Sequence, residues 1–241
     1  MINYKEWGEK NIIWSGSRDT NKSNRRGKKP IMITNHISDG TESSLINWFN
    51  DPNNQRSSAH FSVSREGVIR QFVKIEDNAW ANGQIRKPAS EMIKNLGYNP
   101  NWASVSIEHI GVYAKTRGQI TEKQLEATIN LHQYIIAYVK DNMGSIIQPT
   151  REYILKHSDI DSVEKTNCPG ELFPIRRIID AINAPFGTCK FTDIDGHWAE
   201  PLIRRAYDLG LVKGQTERMF APDKPMTRAE AVALIMKVLE L

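Results

Sequence analysis

The chain has 241 residues, 39% hydrophobic and 25% charged, with a formal net charge of +4 and a pI near 9.0. That length can bury one sizeable core and a smaller second one, and the composition excludes a disordered or fibrous chain. No run approaches the roughly 18 apolar residues that span a bilayer, and Met1-Ile2-Asn3-Tyr4-Lys5-Glu6 lacks the pattern of a secretory leader.

The one dense basic run, Lys22 to Lys29 (Lys22, Arg25, Arg26, Lys28, Lys29), reads as a solvated loop. No aromatic residues interleave with it, so nucleic-acid binding is not expected. Ile31 to Thr34, Ala59 to Ser64, Val68 to Val73 and Ser104 to Ile110 are short β-rich runs, several of them alternating. Arg65-Glu66-Gly67 is a natural hairpin turn, with Gly67 free to take positive φ. Helices are predicted over Ser43 to Phe49, Thr121 to Asn142 and Pro174 to Asn183. The long one opens on a capping-box pattern, Thr121-Glu122-Lys123-Gln124, carries Leu125, Ile129, His132, Ile136 and Val139 at helical spacing, and ends at Gly144. His132 reads as a packed helix residue.

Ala184 to Lys190, with Pro185, Gly187 and Thr188, has linker composition. We therefore expect a mixed α/β domain over 1–184, a central mixed sheet flanked by helices. A linker follows over 185–190, then a small all-α helix–loop–helix unit over 191–241. In that unit Ala199 to Leu209 is amphipathic and a second helix starts at Thr227-Arg228-Ala229-Glu230. Of the two cysteines, Cys189 is a lone thiol near the linker, and no disulfide framework is indicated.

His36, His157 and Cys168 each close an apolar run: Ile31-Met32-Ile33-Thr34-Asn35-His36, Tyr153-Ile154-Leu155-Lys156-His157, and Asn167-Cys168-Pro169-Gly170. Neutral imidazole and thiolate are preferred zinc ligands, and three of them with an open fourth position make the catalytic form of such a site. Each also has an ordinary reading, a polar strand end for the histidines and a small buried hydrophobe for the cysteine. Glu108 in an apolar strand is more informative, because an unpaired buried carboxylate is costly. It could equally be half of a structural salt bridge.

At these four positions the chain resembles the zinc-dependent N-acetylmuramoyl-L-alanine amidases, the family of phage endolysins and peptidoglycan recognition proteins. The matching stretches keep family order: Ile33-Thr34-Asn35-His36, Ala59-His60-Phe61-Ser62-Val63, Gly67-Val68-Ile69-Arg70-Gln71, Asn78-Ala79-Trp80, Ser106-Ile107-Glu108, His157-Ser158-Asp159-Ile160 and Cys168-Pro169-Gly170. The resemblance implies a peptidoglycan hydrolase that cuts the amide between the lactyl group of N-acetylmuramic acid and L-alanine of the stem peptide. It implies zinc on His36, His157 and Cys168, with Glu108 assisting catalysis. Some members carry an oxyanion-stabilising lysine or threonine two positions before the third ligand. Here that position is Thr166, with Lys165 one further away, and both stay open. Many relatives read Ala-Trp-His-Ala-Gly where this chain has Ala79-Trp80-Ala81-Asn82-Gly83. That departure spares the three ligands and puts substrate contacts there in question.

The tail resembles one S-layer homology module, through Phe191-Thr192-Asp193-Ile194, Gly196-His197-Trp198-Ala199, Gly210-Leu211-Val212-Lys213-Gly214, Phe220-Ala221-Pro222 and Thr227-Arg228-Ala229-Glu230. That implies anchoring to a secondary cell-wall polymer of a Gram-positive wall, with Arg228, Asp193, Trp198 and Gly214 as pocket candidates. Thr227 and Glu230 are explained by helix capping alone. A single copy points to weak binding, to oligomerisation through the module for avidity, or to a longer array. Two other classes compete with the hydrolase: a binding module without catalysis, and a thiol enzyme with Cys168 as nucleophile and His157 as base. Action at the cell wall without a leader is expected of a phage or prophage endolysin released through a membrane pore. A host autolysin whose leader has been removed is the alternative. Neither nucleic acid nor membrane insertion is expected.

Overall fold

The computed structural model describes residues 4–183, 189, 191–208 and 211–239. The chain divides into one unit within residues 2–182 and another within 183–241. Apart from Cys189, the expected linker lies outside the described residues, as do Leu209 and Gly210.

Among the described residues, the first unit has eight strands: β1 Ile12–Trp14, β2 Lys22–Ser23, β3 Met32–Ile37, β4 Phe61–Val63, β5 Ile69–Gln71, β6 Asn78–Ala79, β7 Ser104–His109 and β8 Ile154–Lys156. Six of them form a mixed sheet in the order β1-β5-β4-β7-β3-β8, in which only β4 and β5 run antiparallel. The hairpin between them turns at Gly67, with φ of 86°. Strands β2 and β6 pair separately. The helices of this unit are α1 Tyr4–Asn11, α2 Glu42–Asn50, α3 Glu91–Lys94, α4 Tyr113–Thr116, α5 Glu122–Met143, α6 His157–Ile160 and α7 Ile175–Asn183.

Strand alternation gives the sheet two unlike faces. Ile33, Phe61, Val63, Ile69, Val105, Ile107 and Ile154 turn one way, onto Leu125, Ile129, Leu131, Ile135 and Val139 of α5. Burying each such side chain contributes about 1.5–3 kcal/mol relative to leaving it exposed. Helix α5 starts where Thr121 Oγ1 accepts from Gln124 N, and ends at Gly144 in the left-handed conformation, φ 58°. Only that half of the expected capping box forms. The other face carries Thr34, His36, Ser62, Ser106 and Glu108, in register across three strands (Thr34 beside Ser106; His36 and Ser62 flanking Glu108).

One expectation needs correcting in part. Arg25, in the run read as a solvated loop, is 4% exposed. Its guanidinium donates to the carbonyls of Ile75, Asn101, Trp102 and Ser104 and meets His60 Nε2 at 2.9 Å. Five fixed donors suit an array of carbonyls converging from several segments. Sequence spacing carries no sign of that convergence.

In the second unit, helix α8 Glu200–Asp208 and helix α9 Arg228–Leu239 accompany a small core of Cys189, Phe191, Ile194 and Ile203, packed by Tyr207 and Phe220. Cys189 is thus a buried packing residue. Among the described residues no helix is long and apolar enough to cross a membrane.

Candidate metal centre

Three parallel neighbours, β7, β3 and β8, place their carboxyl ends at one end of the sheet, where open α/β sheets present their sites. Glu108 lies near the end of β7, and His36, its register partner, near the end of β3. His157 follows directly on β8 as the first residue of α6. The Asp159 carboxylate holds this corner, accepting from Lys156 N at 2.6 Å and from Arg151 at 2.8 Å.

Cys168 comes from a loop tied to the same corner, where Ser158 N donates to the Cys168 carbonyl at 3.0 Å. The Cys168-Pro169 bond is cis, and Gly170 follows with φ of 125°. A Cβ on Gly170 would sit 2.2 Å from the Arg117 carbonyl oxygen, so the loop closes only with glycine there.

The three side chains converge: one ligand atom from each of His36, His157 and Cys168 lies within 4.8 Å of the others. His36 Nδ1 and His157 Nδ1 are 2.9 Å apart, one ring donating to the other. One tetrahedral zinc ion would hold two nitrogens roughly 3.3 Å apart. His157 Nε2 donates to the Asn82 carbonyl at 3.3 Å, which leaves Nδ1 as the lone pair facing the cluster, the arrangement expected of a ligating histidine.

Electrostatics fit the same reading. Burial first, then the neighbouring ring of His157, holds His36 well below its ordinary pKa. Burial likewise lowers His157 to about 4, so both rings are neutral at pH 7. Burial and then the Glu108 carboxylate push the Cys168 thiol up to about 12, the reverse of what a free thiolate nucleophile needs. A cation between the three donors is what would favour the thiolate. Burial raises Glu108 to about 7, with Lys165 opposing, and its Oε2 is buried without a protein partner. Thr34 Oγ1, His36 Nε2, Ser62 Oγ and Asn82 Oδ1 are also buried without protein partners. Uncompensated polar atoms at such density are costly in a core and mark a floor built for polar occupants.

The remaining candidates fall apart by geometry. Thr166 is exposed, and its Oγ1 lies 2.9 Å from the Ser162 carbonyl and 3.0 Å from that of Val163, so its single proton is committed to backbone. Lys165, also exposed, exerts its charge on His36, Glu108, His157 and Cys168 alike. His109 turns to the opposite face, as alternation requires, between the His36 carbonyl and Thr128 Oγ1. His132 is a packed α5 residue bonded to the Thr128 carbonyl. His60 joins Arg25 to Ser106. Trp80 is half-buried, its Nε1 donating to Ser23 Oγ at 3.3 Å.

Asn82 is the residue that motif reading passed over. It is fully buried, donates to Ser104 Oγ through its side chain, accepts from His157 through its carbonyl, and donates its backbone N–H to Asn101 Oδ1. The signal available was the departure at Ala79-Trp80-Ala81-Asn82-Gly83.

In the second unit, both Asp193 oxygens accept from the backbone N–H groups of Phe220 and Ala221. A Cβ on Gly214 would fall 2.2 Å from the Phe191 ring. These two shape the loop. Trp198 is 81% exposed, and Arg228 opens α9 on the surface after the Thr227–Glu230 capping pair.

The family described as N-acetylmuramoyl-L-alanine amidase matches residues 26–171, more than half of the chain, and the S-layer homology domain matches residues 190–232. A selenomethionine derivative of AmpD is similar in structure, with a TM-score of 0.54 at 19% identity, covering 71% of this chain and 94% of that one. A mutant of PlyL gives 0.51 at 19% identity, covering 72% and 99%. At such identities both establish the fold alone. The tail is 44% identical over 51 residues to the cellulosome-anchoring protein of Acetivibrio thermocellus, covering 21% of this chain and 11% of that protein. The chain thus spans about a tenth of that relative's length.

Proposed function

This chain belongs to the N-acetylmuramoyl-L-alanine amidase family, and we propose that it cleaves the lactyl–L-alanine amide of peptidoglycan as a zinc enzyme held at the wall by its tail. The observation that carries the reading is the convergence of His36, His157 and Cys168 beside an unpartnered buried Glu108.

In this reading residues 1–184 are the catalytic domain, 185–190 the linker and 191–241 the anchoring module. His36, His157 and Cys168 hold the metal. Bound there, zinc supplies a Lewis acid for the amide carbonyl and lowers the pKa of a coordinated water to about 7. Glu108 takes the proton of the attacking water at its unpartnered Oε2 and returns it to the leaving amine of L-alanine. Asn82 fixes the ring of His157 through the Nε2 bond. The Lys165 ammonium, rather than the Thr166 hydroxyl, balances negative charge developing on the substrate oxygen, because Thr166 is committed to backbone. In the anchoring module, Trp198 and Arg228 offer the free surface for a secondary cell-wall polymer, and Asp193 and Gly214 hold the loop behind them.

The test is mass spectrometry of digested walls, with and without a chelator. We expect free L-alanine amino termini that appear only with zinc, on glycan strands that stay intact throughout. Products cut between sugars would overturn the bond assignment, and full activity in metal-free protein would overturn the metal.

A further inference from the structure

The basic run has a use beyond the burial of Arg25. Two of its other cations fold back onto aromatic rings that lie far from them in sequence. The Arg26 guanidinium carbon sits 5.4 Å from the centre of the Trp102 ring, and Lys28 Nζ sits 4.6 Å from that of Tyr98. The two rings are near-parallel, 9° between planes, with centroids 6.4 Å apart. Both are half-buried, while Arg26 and Lys28 are exposed.

Tyr98 also lines a cavity of about 510 Å³, together with Arg86, Lys94, Gln84 and Asn99. Arg86 and Lys94 are paired to Glu164 at 2.7 Å and Glu91 at 2.5 Å. Among the described residues, no carboxylate lies within ion-pair distance of Arg26 or Lys28. A ring face holds a cation in place while leaving most of its N–H donors directed to solvent, and it neutralises no charge. Two uncompensated cations pinned on an aromatic pair, one ring of which also lines a pocket of mixed polar and apolar character, match a ligand with repeated anionic groups spaced along a hydroxyl-rich backbone.

We infer that Arg26, Lys28, Tyr98 and Trp102, with the adjoining cavity, form a second polymer-binding site, on the catalytic unit itself, for an anionic wall glycopolymer bearing phosphate or carboxylate groups. The choice of a wall polymer rests on the function proposed above; the anionic, polyhydroxylated chemistry rests on these residues alone.

The probe is poly(glycerol phosphate), titrated into the full chain by calorimetry at low and at physiological salt, with inorganic phosphate as the monovalent control. The variant is Arg26→Asn with Lys28→Gln. Arg26 has φ of 50°, which asparagine tolerates, so the loop is preserved. We expect saturable binding that weakens steeply with salt and falls at least tenfold in the double variant, with no change in cleavage of a soluble muropeptide. A Tyr98→Phe variant, which keeps the ring face, should bind as the parent does. Unaltered binding in the double variant would overturn the site, as would binding lost only on Arg228→Ala, which would assign it to the tail. Because titration needs no turnover, a failed hydrolysis assay leaves this result readable, and a failed titration leaves the amidase assignment standing.

Discussion

Glu108 and Cys168 interact through the Glu108 charge and have different duties in the proposed site. The carboxylate is raised to about 7 and the thiol to about 12, both chiefly by burial. Their predicted losses should therefore differ in kind. Glu108→Gln should lower kcat by roughly 10²–10⁴-fold, the range typical of general acid–base groups, while bound zinc measured by atomic absorption stays near one per chain. Cys168→Ser should lower the zinc content itself. Undiminished turnover in the glutamine variant would remove Glu108 from the chemistry. Arg25 tests the residue scale from the structural side. Its buried guanidinium meets four carbonyls and His60, and burial lowers it to about 10. Arg25→Lys keeps the charge but cannot reproduce the fork, so denaturant unfolding should show a loss of about 3 kcal/mol or more. A loss below 1 kcal/mol would mean that water serves these carbonyls as well.

At the scale of elements, the sheet separates its duties by parity. In Ser104-Val105-Ser106-Ile107-Glu108-His109, Val105 and Ile107 build the core under α5, and Ser106 and Glu108 build the floor of the site. This alternation is legible in the sequence, as are the stripe of α5 and its stop at Gly144. Edge strand β8 was seen only as an apolar run, because three residues are too few for a period to declare itself. Helix α5 also buries a histidine, His132, which burial lowers to about 4. Its folded pKa lies below its unfolded value near 6.5, so the unfolded chain binds the extra proton. Stability should fall as pH drops from about 6.5 and level off below about 4, by up to roughly 3 kcal/mol from this residue. His132→Leu should flatten part of that slope in urea titrations at pH 7 and pH 5; an unchanged slope would locate the acid sensitivity elsewhere.

For the whole molecule, the two units carry separate cores, one beneath a six-stranded sheet and one around Phe191 and Ile194. A chain ending at residue 182 should therefore release stem peptide from soluble muropeptides at an unchanged rate. Cosedimentation with intact walls should fall, leaving a salt-sensitive remainder that the Arg26 and Lys28 site would account for. Lost turnover on soluble substrate would show that the tail takes part in catalysis.

Residue types and their order were enough to point to the family, to single out His36, His157 and Cys168 as candidate ligands with Glu108 as the candidate carboxylate, and to give the character of the tail, because zinc chemistry admits few donor types and strand and helix periods are local. Only the tertiary structure tied the Thr166 hydroxyl to backbone carbonyls, buried Arg25 out of a run that reads as solvent-facing, and brought Asn82 to His157. It also set Arg26 and Lys28 on Trp102 and Tyr98. Each of these depends on contacts between segments tens of residues apart, which local spacing does not encode.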